Sequence, residues 1–130
     1  MIIDSSAFIA LALREPGFEV FDEALLAAWS RRISAPTFVE ISIVLQTRTG
    51  AQGILLLEPL LRTSNILIES FTEKHAQIAR QAFSDYGKGR HPAGLNFGDC
   101  FSYALAKATG EPLLFKGEDF RKTDITPALS

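Results

Sequence analysis

The stretch Asn96-Phe97-Gly98-Asp99-Cys100-Phe101-Ser102-Tyr103-Ala104-Leu105-Ala106 carries the pattern from which the rest of the chain is read. Phe97, Cys100, Phe101, Ala104, Leu105 and Ala108 recur at the three-and-four spacing of a helix with one buried face. Asn96 is a good N-cap, which puts Asp99 at the third helical position. A carboxylate there lies in the positive field of the helix N-terminus, beside backbone N–H groups that have no partner within the helix. Two readings stay open at this point. Asp99 either completes the helix start and nothing more, or belongs to a group of acids that the fold brings to one place.

The chain around this stretch has 130 residues, 47% of them hydrophobic, which fits one domain spanning 1–130 with a real core. A formal net charge of −2 gives no overall basic field of the kind that advertises nucleic acid. Cys100 is the single cysteine and falls on the apolar helix face, which excludes a disulfide framework and points to a reducing compartment. Met1-Ile2-Ile3 is too short for a signal-peptide core, and no apolar run approaches the roughly 20 residues that span a bilayer. A soluble, cytoplasmic protein without a membrane partner is expected.

Taken in order, Met1-Ile2-Ile3 reads as a buried strand ending at Asp4, with Ser5-Ser6 opening a helix that Arg14-Glu15-Pro16-Gly17 breaks. A second helix carries Val20, Phe21, Leu25, Ala28 and Trp29 on one side. Ile33-Ser34-Ala35 is a minimal strand. Thr37-Phe38-Val39-Glu40 then starts a helix that runs to about Arg48, is apolar nearly all round, and is expected to be deeply buried; Gly50 stops it. Gln52 to Leu61 is helical, with Pro59 at a kink, a break or a new first turn. Asn65–Ile68 is the clearest strand, and Ser70 or Thr72 can cap the helix through Ile78, Ala82 and Phe83. A glycine-rich loop covers Tyr86 to Leu95. Pro112–Phe115 reads as a strand, and Ile125 as part of a last short one.

Strands alternating with helices imply an α/β fold with a parallel sheet covered on both faces. Right-handed crossovers put every strand-to-helix turn on one edge of that sheet, where ligands bind. Asp4 follows the first strand, Glu40 lies just after the second, Asp119 follows the strand at Leu113, and Asp99 opens the helix leading into it. Each acid has a purely structural alternative. Asp4 suits a helix cap, Thr37-x-x-Glu40 matches a capping box, and Asp119 suits an ordinary turn. Jointly they differ, because several carboxylates in one buried pocket cannot all stay ionised without compensation. A hard divalent cation supplies it, prefers oxygen ligands and assists phosphodiester hydrolysis.

Met1-Ile2-Ile3-Asp4-Ser5-Ser6-Ala7, the Glu40 helix, Leu95-Asn96-Phe97-Gly98-Asp99-Cys100 and Pro112-Leu113-Leu114-Phe115-Lys116-Gly117-Glu118-Asp119-Phe120 resemble the motifs of PIN domains, and within these the VapC toxins of bacterial toxin–antitoxin pairs. The resemblance spans the whole chain in motif order and spacing. It implies a three-layer α/β/α sandwich with a short-stranded, mainly parallel central sheet. It also implies endoribonuclease activity dependent on Mg²⁺, or Mn²⁺, inhibition by a VapB-type antitoxin, and a homodimer formed through the buried helices near the N-terminus. Carried over, Asp4 and Asp99 are the main metal ligands and Glu40 a nearby carboxylate holding metal or water. Many relatives place Asn or Asp three residues before the Asp-Phe pair, where this chain has Lys116, so the fourth acid is open among Asp119, Glu118 and Asp124. Asp119 is favoured because it directly precedes Phe120, a natural core anchor.

His75 and His91 are far apart in sequence and no Cys or His spacing suggests zinc, so both read as surface residues. Lys88, Arg90 and His91 suit either a solvated loop or contacts to RNA phosphates. Ser6 either caps the first helix or hydrogen-bonds water at the acidic site. A receiver domain of similar length needs an acidic pair after the first strand and an Asp after the central one, and the chain offers only Asp4 and Glu69. The alternative to a ribonuclease is a catalytically inactive PIN-like binding module, against which the intact Asp4, Glu40 and Asp99 argue.

Overall fold

The computed structural model describes residues 1–130. Its elements run β1 (Ile2–Ile3), α1 (Ser5–Ala12), α2 (Phe18–Ala27), β2 (Arg32–Ser34), α3 (Ala35–Thr49), α4 (Ala51–Thr63), β3 (Leu67–Glu69), α5 (Glu73–Tyr86), α6 (Phe97–Thr109) and β4 (Leu113–Leu114), followed by a 3₁₀ turn at Asp119–Lys122. The four strands form one sheet in the order β3-β2-β1-β4. All pairings are parallel, with Ile2 opposite both Arg32 and Leu113, and Ile33 opposite Ile68. Met1-Ile2-Ile3 thus lies inside the sheet, with the Ile2 N–H bonded to Pro112 on one side and the Met1 carbonyl to Arg32 on the other, and the Asp4 N–H continuing the ladder to Leu114.

Because side chains alternate along a strand, neighbouring residues of these short strands serve different layers. Ile2 and Leu113 pack with Leu95, Tyr103, Leu105 and Phe120 on the side of α5 and α6. Ile3, Ile33 and Leu114 pack with Phe8, Phe21, Ile41, Leu45 and Leu61 on the side of α1 to α4. The result is the three-layer α/β/α arrangement. No helix is long and apolar enough to cross a membrane.

Several local expectations are corrected. α3 begins at Ala35 after an N-cap at Ser34, with Pro36 in its first turn, a position where a missing N–H costs nothing. It buries only Thr37, Ile41 and Leu45 among its residues, while Val39 and Ile43 are 53% and 58% exposed. α2 ends at Ala27, so Ala28 and Trp29 leave the helix, and Trp29 is fully exposed. α4 runs through Pro59 unbroken, held by Leu57 and Leu61 in the core on either side. Ile125 lies in no strand; its segment joins β4 through a single bridge between Leu113 and Pro127. On α6, Phe97 is 78% exposed, and the buried residues run from Cys100 through Ser102, Tyr103, Ala104 and Leu105 to Ala106, because the sheet and its neighbouring helices cover most of this helix.

Candidate active site

Parallel strands place the ends of β1 to β4 on one edge, and the turn after β1 delivers Asp4 there. Asp4 is the N-cap of α1 and is 2% exposed. Its Oδ2 accepts the backbone N–H of Ser6 at 3.1 Å and the Ser6 hydroxyl at 2.6 Å. The Ser6 oxygen in turn accepts the Lys116 backbone N–H at 3.0 Å, tying the turn after β4 to the one after β1. Capping therefore occupies one oxygen of Asp4. The other, Oδ1, is buried without a hydrogen-bond partner.

Glu40 lies on α3 but forms no capping box, because Thr37 is already inside the helix rather than at its cap. The Thr37 hydroxyl faces Ser102 instead. The carboxylate of Glu40 crosses to the first turn of α6, against Gly98, and its Oε1 is buried with no partner. Burial raises its pKa above the ordinary carboxylate value, the charge of Asp4 raises it further, and the Ser5 hydroxyl acts the other way.

Asp99 sits at the third position of α6, as the sequence suggested. The Asn96 side chain accepts the Asp99 N–H at 2.9 Å and Asp99 Oδ2 accepts the Asn96 N–H at 3.0 Å, a complete reciprocal cap. Even so, burial pushes the Asp99 pKa up to about 7, the Asn96 hydrogen bond opposes this, and the charges of Asp4, Glu40 and Asp119 add to it. Asp99 thus feels all three other acids.

Asp119 opens the 3₁₀ turn and is exposed at the rim, its turn anchored by buried Phe120. Glu118 is directed to Arg121, 3.6 Å away, at 75% side-chain exposure. Asp124 accepts the Tyr103 hydroxyl at 2.6 Å and pairs with Lys107, rather than with Arg121 or Lys122. His75 closes the cap of α5 through Thr72, and His91 accepts the N–H of Ala93.

No three acidic, histidine or cysteine side chains are drawn tightly around one point. The donor set still fits a hard divalent cation, because two buried carboxylate oxygens, Asp4 Oδ1 and Glu40 Oε1, have no partner. Such an ion takes only one or two carboxylates directly and keeps several waters. Sequence reasoning passed over two features here: the Ser6 link to the turn after β4, and the closeness of Gly98 to Glu40.

The PIN domain family model matches residues 1–125. Ribonuclease VapC42 of Mycobacterium tuberculosis is 46% identical over 129 residues, covering 98% of this chain and 98% of that protein. Among solved structures, the Mycobacterium tuberculosis toxin VapC20, described as cleaving the sarcin-ricin loop, superposes with a TM-score of 0.77 at 15% identity, over 96% of this chain and 95% of that one. VapBC2 from Rickettsia felis, solved with a promoter DNA fragment, gives a TM-score of 0.74 at 13% identity, over 97% and 95%.

Proposed function

The chain belongs to the PIN-domain family, and from that premise we propose that it is the endoribonuclease toxin of a VapBC-type toxin–antitoxin pair. It hydrolyses RNA phosphodiester bonds at the pocket of Asp4, Glu40, Asp99 and Asp119. Identity of 46% over 98% of the chain to a protein named as a ribonuclease supports the activity. The observation that carries the site is the pair of buried, unpartnered carboxylate oxygens, Asp4 Oδ1 and Glu40 Oε1. Buried polar atoms are rarely left without partners, and an acidic pair is the least favourable place to leave them so.

Asp4 and Asp99 would hold the cation, with Glu40 Oε1 beside them for metal or water; an all-oxygen donor set favours Mg²⁺, with Mn²⁺ as a substitute. When bound, the cation neutralises charge at the phosphate and polarises it toward attack by water. The chain's own part is positional. Ser6 fixes the rotamer of Asp4 by two hydrogen bonds to Oδ2, leaving Oδ1 buried and without a partner. Glu40 Oε1 offers an acceptor for one hydrogen of a water, orienting its lone pair. Asp119 reaches the site through water from the rim.

A VapB-type antitoxin is the partner, its C-terminal segment covering the acids with a basic side chain, an Arg whose planar fork matches a carboxylate. A groove lined by Val39, Ile43, Phe97 and Phe101 opens beside Glu40 and offers that segment an apolar bed. A homodimer through apolar helix surface near the N-terminus, where Val20 and Leu26 are exposed, completes the reading. The test is cleavage of RNA by the purified protein. EDTA abolishes it, Mg²⁺ or Mn²⁺ restores it, and Asp99→Asn removes it while the circular dichroism spectrum stays unchanged. Wild-type cleavage by Asp99→Asn overturns the site. Growth arrest on expression that persists in Asp4→Asn favours a binding module instead.

A further inference from the structure

Gly98 occupies the second position of α6, between the N-cap Asn96 with its neighbour Phe97 and the acid Asp99. Its backbone is not left-handed, so the conformation alone would accept any residue. Glycine is among the poorest helix formers, and the first turn of a central helix gives no local reason for it. The reason lies across the helix interface. A Cβ at this position would fall 2.3 Å from Oε2, 2.7 Å from Cδ and 2.9 Å from Oε1 of Glu40. All three nearest atoms belong to one carboxylate.

Other glycines show a contrast. A Cβ at Gly87 meets the Phe83 carbonyl oxygen at 2.3 Å as well as the Phe83 ring, and one at Gly53 meets Thr49 Oγ1 at 1.6 Å and the Leu45 carbonyl oxygen at 2.8 Å. At both positions a backbone carbonyl stands among the nearest atoms, and it cannot yield without moving a helix. At Gly98 the neighbour is the end of a flexible side chain, which can yield. The apolar groove beside it is lined by both Glu40 and Gly98, so a displaced carboxylate has room to swing into.

We propose that Gly98 is a positioning residue for the reaction: its missing side chain is the slot through which the Glu40 carboxylate reaches Asp4 and Asp99 across the first turn of α6. The proposal rests on the reading of this pocket as the ribonuclease site. A methyl group at residue 98 moves Glu40 out without unfolding the helix, so stability and function part company. An ordinary packing glycine behaves the other way, losing stability first.

The experiment compares wild type, Gly98→Ala, Glu40→Ala and the double variant. Thermal melting is followed in EDTA, Mn²⁺ affinity by electron paramagnetic resonance of the free ion, and RNA cleavage as kcat and KM. Gly98→Ala is expected to melt at or above the wild-type temperature, to bind Mn²⁺ about tenfold more weakly or worse, and to lose kcat with KM little changed. In the Glu40→Ala background the same substitution changes neither Mn²⁺ affinity nor kcat. Wild-type Mn²⁺ binding and kcat in Gly98→Ala, a lowered melting temperature, or an equal loss in the Glu40→Ala background each overturns it. A crystal structure of Gly98→Ala separates this from the functional reading. If the wild type neither binds Mn²⁺ nor cuts RNA, the ribonuclease site fails, while a displaced Glu40 still upholds the slot and an unmoved Glu40 removes it.

Discussion

The hydroxyl of Thr37 lies 3.4 Å from that of Ser102, both side chains fully buried between α3 and α6. Glu40 is three residues beyond Thr37 and Asp99 three residues before Ser102, so this contact joins the two helices that carry two of the acids. A buried hydroxyl left without a partner costs about 1–3 kcal/mol, more than a long hydrogen bond returns. Thr37→Val keeps the shape and strands Ser102, and is expected to destabilise by about 1 kcal/mol. Adding Ser102→Ala removes the stranded group and recovers part of the loss. Urea unfolding of the two variants checks this, and a double variant less stable than the single one contradicts it.

Asp99 gives a pH dependence of definite sign. Its pKa is raised from 3.8 to about 7, chiefly by burial, so the folded state holds a proton that the unfolded state has released. Stability present below pH 4 is therefore lost as pH rises toward 7 and stays lost above it. Asp99→Asn cannot ionise. Without divalent cation it is expected to melt higher than the wild type at pH 8, by about 4 °C. The gain shrinks as pH falls and vanishes near pH 4. Scanning calorimetry in EDTA across that range reads it, and a gain that grows on acidification contradicts the burial argument.

The sequence carried what is local and what is topological. Asn96 and Asp99 lie three residues apart, and their reciprocal cap follows from that spacing alone. The parallel sheet follows from alternation of elements, and with it the edge to which Asp4 is delivered. Thr37-x-x-Glu40 matches a capping box in sequence but forms none, because the helix already starts at Ala35 with Pro36 in its first turn. The apolar run of α3 suggests deep burial, yet Val39 and Ile43 are exposed, because apolar residues do not say whether they meet the chain's own interior or an outer groove. The closeness of Gly98 to Glu40 is a contact between residues 58 positions apart, and no local pattern encodes it.

Glu40 separates structural from functional carboxylates. With no capping box to keep, its charge does nothing for the start of α3, and burial and Asp4 both disfavour that charge. Glu40→Gln keeps the shape. It is expected to hold or raise the melting temperature in EDTA while kcat for RNA falls at least tenfold, the size typical of a lost catalytic or metal-site group. Cleavage at the wild-type rate would show that Glu40 takes no part.

Three candidates for the fourth acid have three different surroundings. Asp124 accepts the Tyr103 hydroxyl at 2.6 Å and an ion pair from Lys107 at 2.6 Å, which hold its pKa below the ordinary carboxylate value against burial. Asp124→Asn is therefore expected to lower stability, by about 1 kcal/mol, with kcat little altered. Glu118 is largely solvated, and its contact to Arg121 is of the exposed kind that contributes little. Glu118→Gln is expected to change neither stability nor rate. Asp119 is the one of the three whose charge reaches Asp99, and there it adds less than Asp4 or Glu40. Its turn is fixed by Phe120, whose ring packs against Phe115 at 5.2 Å between centroids. On the proposed site, a carboxylate at the rim would act through water and contribute less than a direct ligand. Asp119→Asn is accordingly expected to lower kcat severalfold, between the effects of Glu118→Gln and Asp99→Asn, with Mn²⁺ affinity moving in the same order. A larger loss in Glu118→Gln than in Asp119→Asn would reverse the assignment.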